Sequence, residues 1–238
     1  MFLKRSCSFL LFIFMFIIFS TLIEVNAVNT GFQTNQLPTE QKKTFISNID
    51  ILVIDEEPAK KSISCFDVNS NQSIAIGQSA LDRKTICIYS AEGVFQYGYT
   101  FDCTGDIYVE WDEENLNIYF VRSSLILSIT PDGEVLDVLE VQNTLANNSY
   151  CNHFFQSTQR TVGGTAYFIR NDFGVLNWFA PSYSQIIVKD SDGTENIIYD
   201  VGSMLLSSII MTIIIVSVVV FIAVATIVRE LIKLRHGN

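Results

Sequence analysis

The sequence predicts a mainly β, antiparallel domain of about three four-stranded units, followed by one C-terminal transmembrane helix. Three observations lead there. From Ser62 onward, short β-branched and aromatic runs alternate with polar turns and show no helical period. Three of these runs repeat one pattern of strand, polar turn with Gly, and strand. Finally, residues 201–228 carry no charge and are bracketed by Asp200 and Arg229.

The N-terminus reads as a secretory signal over residues 1–27. Lys4 and Arg5 form a positive start, Phe9 to Phe19 is unbroken apolar, and Val25-Asn26-Ala27 supplies small residues before a cleavage site after Ala27. The competing reading is an uncleaved helix extended to Ile23, shorter than the roughly 20 residues a bilayer core needs. Residues 28–61 read as a polar spacer with a first strand. Within them Val28 to Lys43 lacks apolar periodicity and is expected to be a mobile arm. Phe45 to Ile54 is a strand candidate stopped by Asp55-Glu56-Glu57-Pro58.

The β domain is expected over 62–203. Its strand candidates are Ile63–Val68, Ser73–Gly77, Thr85–Ser90, Val94–Phe101, Asp106–Trp111, Asn117–Val121, Leu125–Thr130, Glu134–Val141, Thr165–Arg170, Gln185–Lys189 and Glu195–Asp200. The transmembrane helix is expected over 204–228, because only a helix satisfies the backbone of an isolated segment in lipid. Arg229, Lys233 and Arg235 follow it, while Asp192, Glu195 and Asp200 precede it. The positive-inside tendency then puts the tail, 229–238, in the cytoplasm and the large domain outside, as a single-pass protein of the plasma membrane. Ser208 and Thr212 provide one small-xxx-small spacing through which such helices self-associate.

The repeats are Lys84 to Tyr97, Ser124 to Asp137 and Ser184 to Ile197, with Gly93, Gly133 and Gly193 at equivalent places. Gly supplies the positive φ that such a hairpin turn requires. A further β pair precedes two of the hairpins, making units of about 40 residues. Over Ser62 to Val201 these units resemble the blades of NHL-type or quinoprotein-like β-propellers. The third carries an insertion of about twenty residues. The resemblance implies an open, propeller-like stack, since three units are fewer than the roughly four to eight of a closed ring. The alternative architecture is a plain meander or sandwich. No family function comes with the resemblance.

Between the apolar ends, ten basic residues face 23 acidic ones, a net charge of −13. That argues against a nucleic-acid partner and against the domain lying on an anionic lipid surface. Cys65, Cys87, Cys103 and Cys151 form an even set that permits disulfides in an exported domain. With no CxxC spacing they do not suggest a metal. His153 is the only outer histidine, two residues from Cys151, and does not make a triad. Asp190 to Glu195 resembles half a calcium loop but also a hairpin turn. Asp106, Asp112, Glu113 and Glu114 around Trp111 are carboxylates in the style of a glycosidase pair. Trp111, Trp178, Phe179 and Tyr183 are candidate sugar-stacking residues, and Asn71-Gln72-Ser73 and Asn147-Asn148-Ser149 match a glycosylation acceptor.

The functional expectation is a membrane-tethered binding or interaction module with a protein or glycan partner outside, and with no catalytic site, cofactor or metal. The alternatives are a cell-surface hydrolase using an Asp/Glu pair and a structural subunit of a membrane complex.

Overall fold

A computed structural model describes residues 28–78, 83–190 and 192–236. Residues 1–27, where a signal segment and cleavage after Ala27 are expected, and Asn238 lie outside the described residues. The chain is mainly β, in three antiparallel sheets that do not close into a barrel, plus one long apolar C-terminal helix.

Each sheet is a four-strand meander. The first contains β3 (Ile63–Val68), β4 (Ile74–Gln78), β5 (Arg83–Tyr89) and β6 (Phe95–Asp102), with β2 (Leu52–Ile54) added beside β6. The second contains β7 (Ile107–Asp112), β8 (Asn115–Phe120), β9 (Leu125–Ile129) and β10 (Val135–Val141), with β1 (Thr34–Gln36) added beside β10. The third contains β11 (Gln159–Val162), β12 (Thr165–Arg170), β13 (Gln185–Lys189) and β14 (Glu195–Asp200).

The hairpins between third and fourth strands are equivalent down to their hydrogen bonds. Ser90, Thr130 and Asp190 each donate N–H to the residue four positions on, and accept from Gly93, Gly133 and Gly193. Those glycines have φ of 78°, 87° and 89°, a region that costs other residues a clash with Cβ. A register shift follows each hairpin, three residues after the glycine at Gln96 and Leu136 and five after it at Ile198.

The first sheet lies between the other two, and its pleat shows it. Cys65, Ala75, Ile86 and Ile88 face the second sheet, where Val109, Leu116, Ile118 and Leu127 complete a core. The alternate residues Phe66, Ile74, Ile76, Cys87 and Tyr89 face Tyr167, Ile169, Ile186 and Tyr199 of the third sheet. Both faces are covered, so β4 and β5 read as nearly continuous buried runs. The leading strands β3, β7 and β11 come together, β3 touching both of the others.

Two expectations for residues 28–61 are corrected. The segment Phe45 to Ile54 is not one strand: α1 (Thr39–Ile49) runs into it, Asp50 turns at φ 45°, and only Leu52–Ile54 pairs with a neighbour. Phe45, Ile46 and Ile49 sit one turn apart and pack on the core between the first two sheets. Val28 to Lys43 is docked rather than a loose arm. Phe32 is buried among Tyr119, Tyr150 and Phe155, with ring centroids 4.9, 5.0 and 5.6 Å away. Glu110 accepts from Thr30 Oγ1 at 2.6 Å and Gly31 N at 3.0 Å, and Asp112 accepts from Asn29 N at 2.8 Å. Lys42 pairs with Asp137.

A helical insertion also separates β10 from β11. It comprises α2 (Leu145–Tyr150), capped by the Thr144 hydroxyl, and a π-helical turn, Cys151–Phe155. It covers the outer face of the second sheet through Phe155, stacked on Tyr108 at 4.7 Å. Last comes α3 (Gly202–His236), whose segment Gly202–Arg229 is long and apolar enough to cross a membrane and is almost entirely unburied.

Candidate functional site

The charged centre of the molecule is an ion pair at the meeting point of the three sheets. Asp67 on β3 and Arg160 on β11 lie 2.9 Å apart, with side chains only 7% and 10% exposed. The second Asp67 oxygen accepts from Trp111 N of β7 at 2.8 Å, and the Trp111 indole donates to Asp67 O at 3.3 Å. The Arg160 guanidinium lies 4.2 Å from the Phe154 ring and donates to the carbonyls of Phe154 and Phe66. Burial pushes the Asp67 carboxyl above the ordinary carboxylate value, opposed by Trp111 N–H and Arg160. Every oxygen and most donors here are used within the protein, so the pair joins the sheets and leaves nothing for a substrate.

A polar cleft opens close by. The segment Pro181–Tyr183 is held to the first sheet by backbone bonds between Ile63 and Tyr183, at 2.7 and 3.0 Å. On one side is a cavity of about 450 Å³ lined by Thr158, Arg170, Asn171, Asn177, Ser182 and Tyr183. On the other is one of about 230 Å³ lined by Ser64, Lys84, Asp106, Tyr108, Ser182 and Tyr183. Ser182 is 9% exposed, and its Oγ has no partner; nor has the buried Asn171 Oδ1. Unsatisfied buried oxygens beside a polar cavity are hydrogen-bonding capacity left for water or a ligand. This arrangement can bind a small polar group or a peptide backbone.

The sequence candidates distribute as follows. Asp106 lines the cleft at one end of β7, whereas Asp112, Glu113 and Glu114 form the hairpin at its other end. Six residues of strand separate Asp106 from Asp112 by about 20 Å, too far for a glycosidase pair. Trp111 is half-buried in the core, while Trp178 and Phe179 stand exposed on a 3-10 turn and Tyr183 lies in the cleft, so these aromatics are no single platform. The Asp190 to Glu195 loop is the third hairpin; Asp192 accepts from Thr194 N at 2.9 Å, which lowers its pKa. Ser191 lies outside the described residues. Among the described residues no three His, Cys, Asp or Glu side chains are grouped to hold a metal.

The four thiols among the described residues, Cys65, Cys87, Cys103 and Cys151, are free. Cys65 and Cys87 sit on opposite faces of the first sheet, which forbids a bridge between them. Burial pushes both thiols up to about 12. His153 is exposed on the π-helical turn. Of the two glycosylation matches, Asn71 is exposed in the β3–β4 turn. Asn147 is 3% exposed, and its amide accepts from Gln33 N while donating to the carbonyls of Gln33 and Gln142, so it is a clamp. Arg229 is exposed beyond the apolar run; the side chains of Lys233 and Arg235 lie outside the described residues.

Sequence reasoning missed Asp67, Arg160, Asn171 and Ser182. Asp67 carried the one usable signal, a charge inside an otherwise apolar strand. No family model matches the chain, and no curated protein matches it either.

Proposed function

We propose that this is a single-span membrane protein whose β domain stands outside the cytoplasm as an open, propeller-like binding module. The observation that carries the reading is the junction between β14 and α3. A single residue, the buried Val201, separates the last strand from the helix. Its N–H donates to Ser184 O at 2.9 Å, and Gly202 N donates to Asp200 Oδ1 at 2.6 Å. The domain is thus joined without a linker to a 28-residue apolar segment in which, among the hydrophobic side chains, only Leu205 and Ile209 are buried. Water does not tolerate that much bare apolar surface on one helix, whereas lipid does. The charges that bracket the segment favour a cytoplasmic tail.

The propeller-like arrangement is supported by three equivalent meanders with their leading strands together. The binding role is supported by the cleft around Ser182, where the unpartnered oxygens of Ser182 and Asn171 border polar cavities, one of them lined by the first residues of β3 and β7. A hydrolase has less support, because Asp106 and Asp112 do not converge.

The test is accessibility of cysteines introduced as Ser70→Cys and Asn238→Cys after Cys7, Cys103 and Cys151 are replaced by serine, which leaves only the buried Cys65 and Cys87, read with a membrane-impermeant maleimide on intact cells. Labelling of the first variant and protection of the second is the expected result. The reverse pattern puts the domain in the cytoplasm and overturns the proposal. For the cleft, Ser182→Val and Asn171→Leu should abolish capture of a crosslinked partner without removing the chain from the membrane.

A further inference from the structure

The apolar run is longer than a bilayer core requires, and its surplus lies beside exposed aromatic residues. At about 1.5 Å per residue, the stretch from Ile209 to Val228 spans roughly 30 Å, a full hydrocarbon core. The first two turns of α3, up to Ser208, then remain on the domain side of the boundary. Burial agrees: Leu205 and Ile209 are 7% and 5% exposed, whereas Met211 and Ile214 are 62% and 54% exposed.

The 3-10 turn Gly174–Phe179 lies at this level. Phe179 and Pro181 share with Leu205, Ile209, Thr212 and Val216 an open, apolar groove of about 400 Å³. Side chains three apart in a 3-10 turn eclipse one another, so Val175 and Trp178 share a face. They are 82% and 92% exposed, and the adjoining Phe179 is 63% exposed. No residue from Phe173 to Val188 is charged, in a domain that is otherwise strongly acidic. Three bare apolar neighbours in one turn mark a contact surface rather than scattered exposure. Beside a membrane helix, the surface at hand is the headgroup region, where an indole buries its ring and keeps its N–H wet.

We infer that the Gly174–Phe179 turn is a membrane-interface wedge. Val175, Trp178 and Phe179 enter the leaflet next to α3, acyl chains fill the groove behind Phe179, and the domain is thereby seated on the bilayer at one tilt. The partner is zwitterionic lipid, because an acidic domain is repelled by anionic headgroups. This inference rests on the proposed insertion of α3, and the test separates the two.

The full chain is reconstituted in phosphatidylcholine vesicles, with and without bromine on the upper acyl carbons. Trp111 and Trp178 are the only tryptophans, so comparison with Trp178→Phe isolates the Trp178 emission without disturbing the core. The expected result is a chain that resists carbonate extraction and loses about half of its Trp178 emission in brominated lipid. An extractable chain overturns both the anchor and the wedge. A retained chain whose Trp178 emission brominated lipid leaves unchanged overturns the wedge alone, and leaves Trp178 and Phe179 free to stack on a glycan.

Discussion

Substituting Arg160 with Met tests whether the three sheets depend on the Asp67 ion pair. Methionine keeps the apolar stem against Phe154 but removes the guanidinium that faces Asp67 at 2.9 Å. Both side chains are at least nine-tenths buried, so solvent screening takes little from the effect. Breaking one side of such a pair leaves an uncompensated charge and costs about 3–5 kcal/mol. In a domain of this size, that lowers the melting temperature by roughly 6–20 °C. Urea unfolding of the full chain in detergent micelles, followed by tryptophan emission, measures it, since Trp111 donates to the same carboxylate. Adding Asp67→Asn removes the orphaned charge while keeping an acceptor for Trp111 N–H. The double variant should recover at least about 1 kcal/mol.

The pH dependence has a definite sign. Burial already raises the Asp67 pKa, and Arg160 holds the rise in check. A carboxyl raised in the folded state costs stability above its unfolded pKa, and folding recovers that loss as pH falls and the folded state takes up the proton. Loss of Arg160 raises the folded pKa further. The deficit of Arg160→Met relative to the unsubstituted chain is therefore largest near about pH 7 and shrinks towards about pH 4. A loss below about 1 kcal/mol, or a deficit that does not change with pH, would refute the reasoning.

Two further predictions concern the repeats and the thiols. Gly93→Ala and Gly193→Ala place Cβ at the same turn position, each costing about 1–2 kcal/mol for the positive φ. At Gly93 a Cβ would also stand 2.6 Å from Ile198 O, whereas Gly193 faces open space. Thermal unfolding should therefore show Gly93→Ala as worse by about 1–3 kcal/mol, and equal losses would contradict the packing of that hairpin on β14. Iodoacetamide at about pH 8 should leave Cys65 and Cys87 unmodified in the folded chain and alkylate both after denaturation without reductant. A mass two hydrogen atoms short, traced to a peptide joining these two residues, would contradict the register of the first sheet.

What could be read from sequence was local. The need for positive φ at Gly93, Gly133 and Gly193 follows from the turn alone, and the structure repeats one hairpin at all three. Apart from β11, which no expected strand covered, the strands from Ile63 to Asp200 fall within a residue or two of expectation because alternation and β-branching act over neighbouring residues. The apolar segment after Asp200 was equally plain, since its length and lack of charge require no partner to be recognised. Phe45 to Ile54 misled because its apolar spacing fits a strand and a helix turn equally well. The contact of Phe45, Ile46 and Ile49 with the core between two sheets decided for helix.

Only the tertiary structure could place the rest. Asn29 meets a carboxylate 83 residues away, Asn147 clamps Gln33 just before β1, 114 residues earlier, and Asp67 finds its cation 93 residues on. Such contacts leave no periodicity, because neither residue type nor spacing names the partner. The same holds for the cleft at Ser182 and for the bare turn around Trp178, whose neighbours arrive from separate sheets and from the helix. Turn chemistry and hydrophobic period act within a few bonds of the chain and so determined the elements. Burial, which depends on what the whole chain brings together, decided which charges are paired, which thiols are sealed and which oxygens remain open.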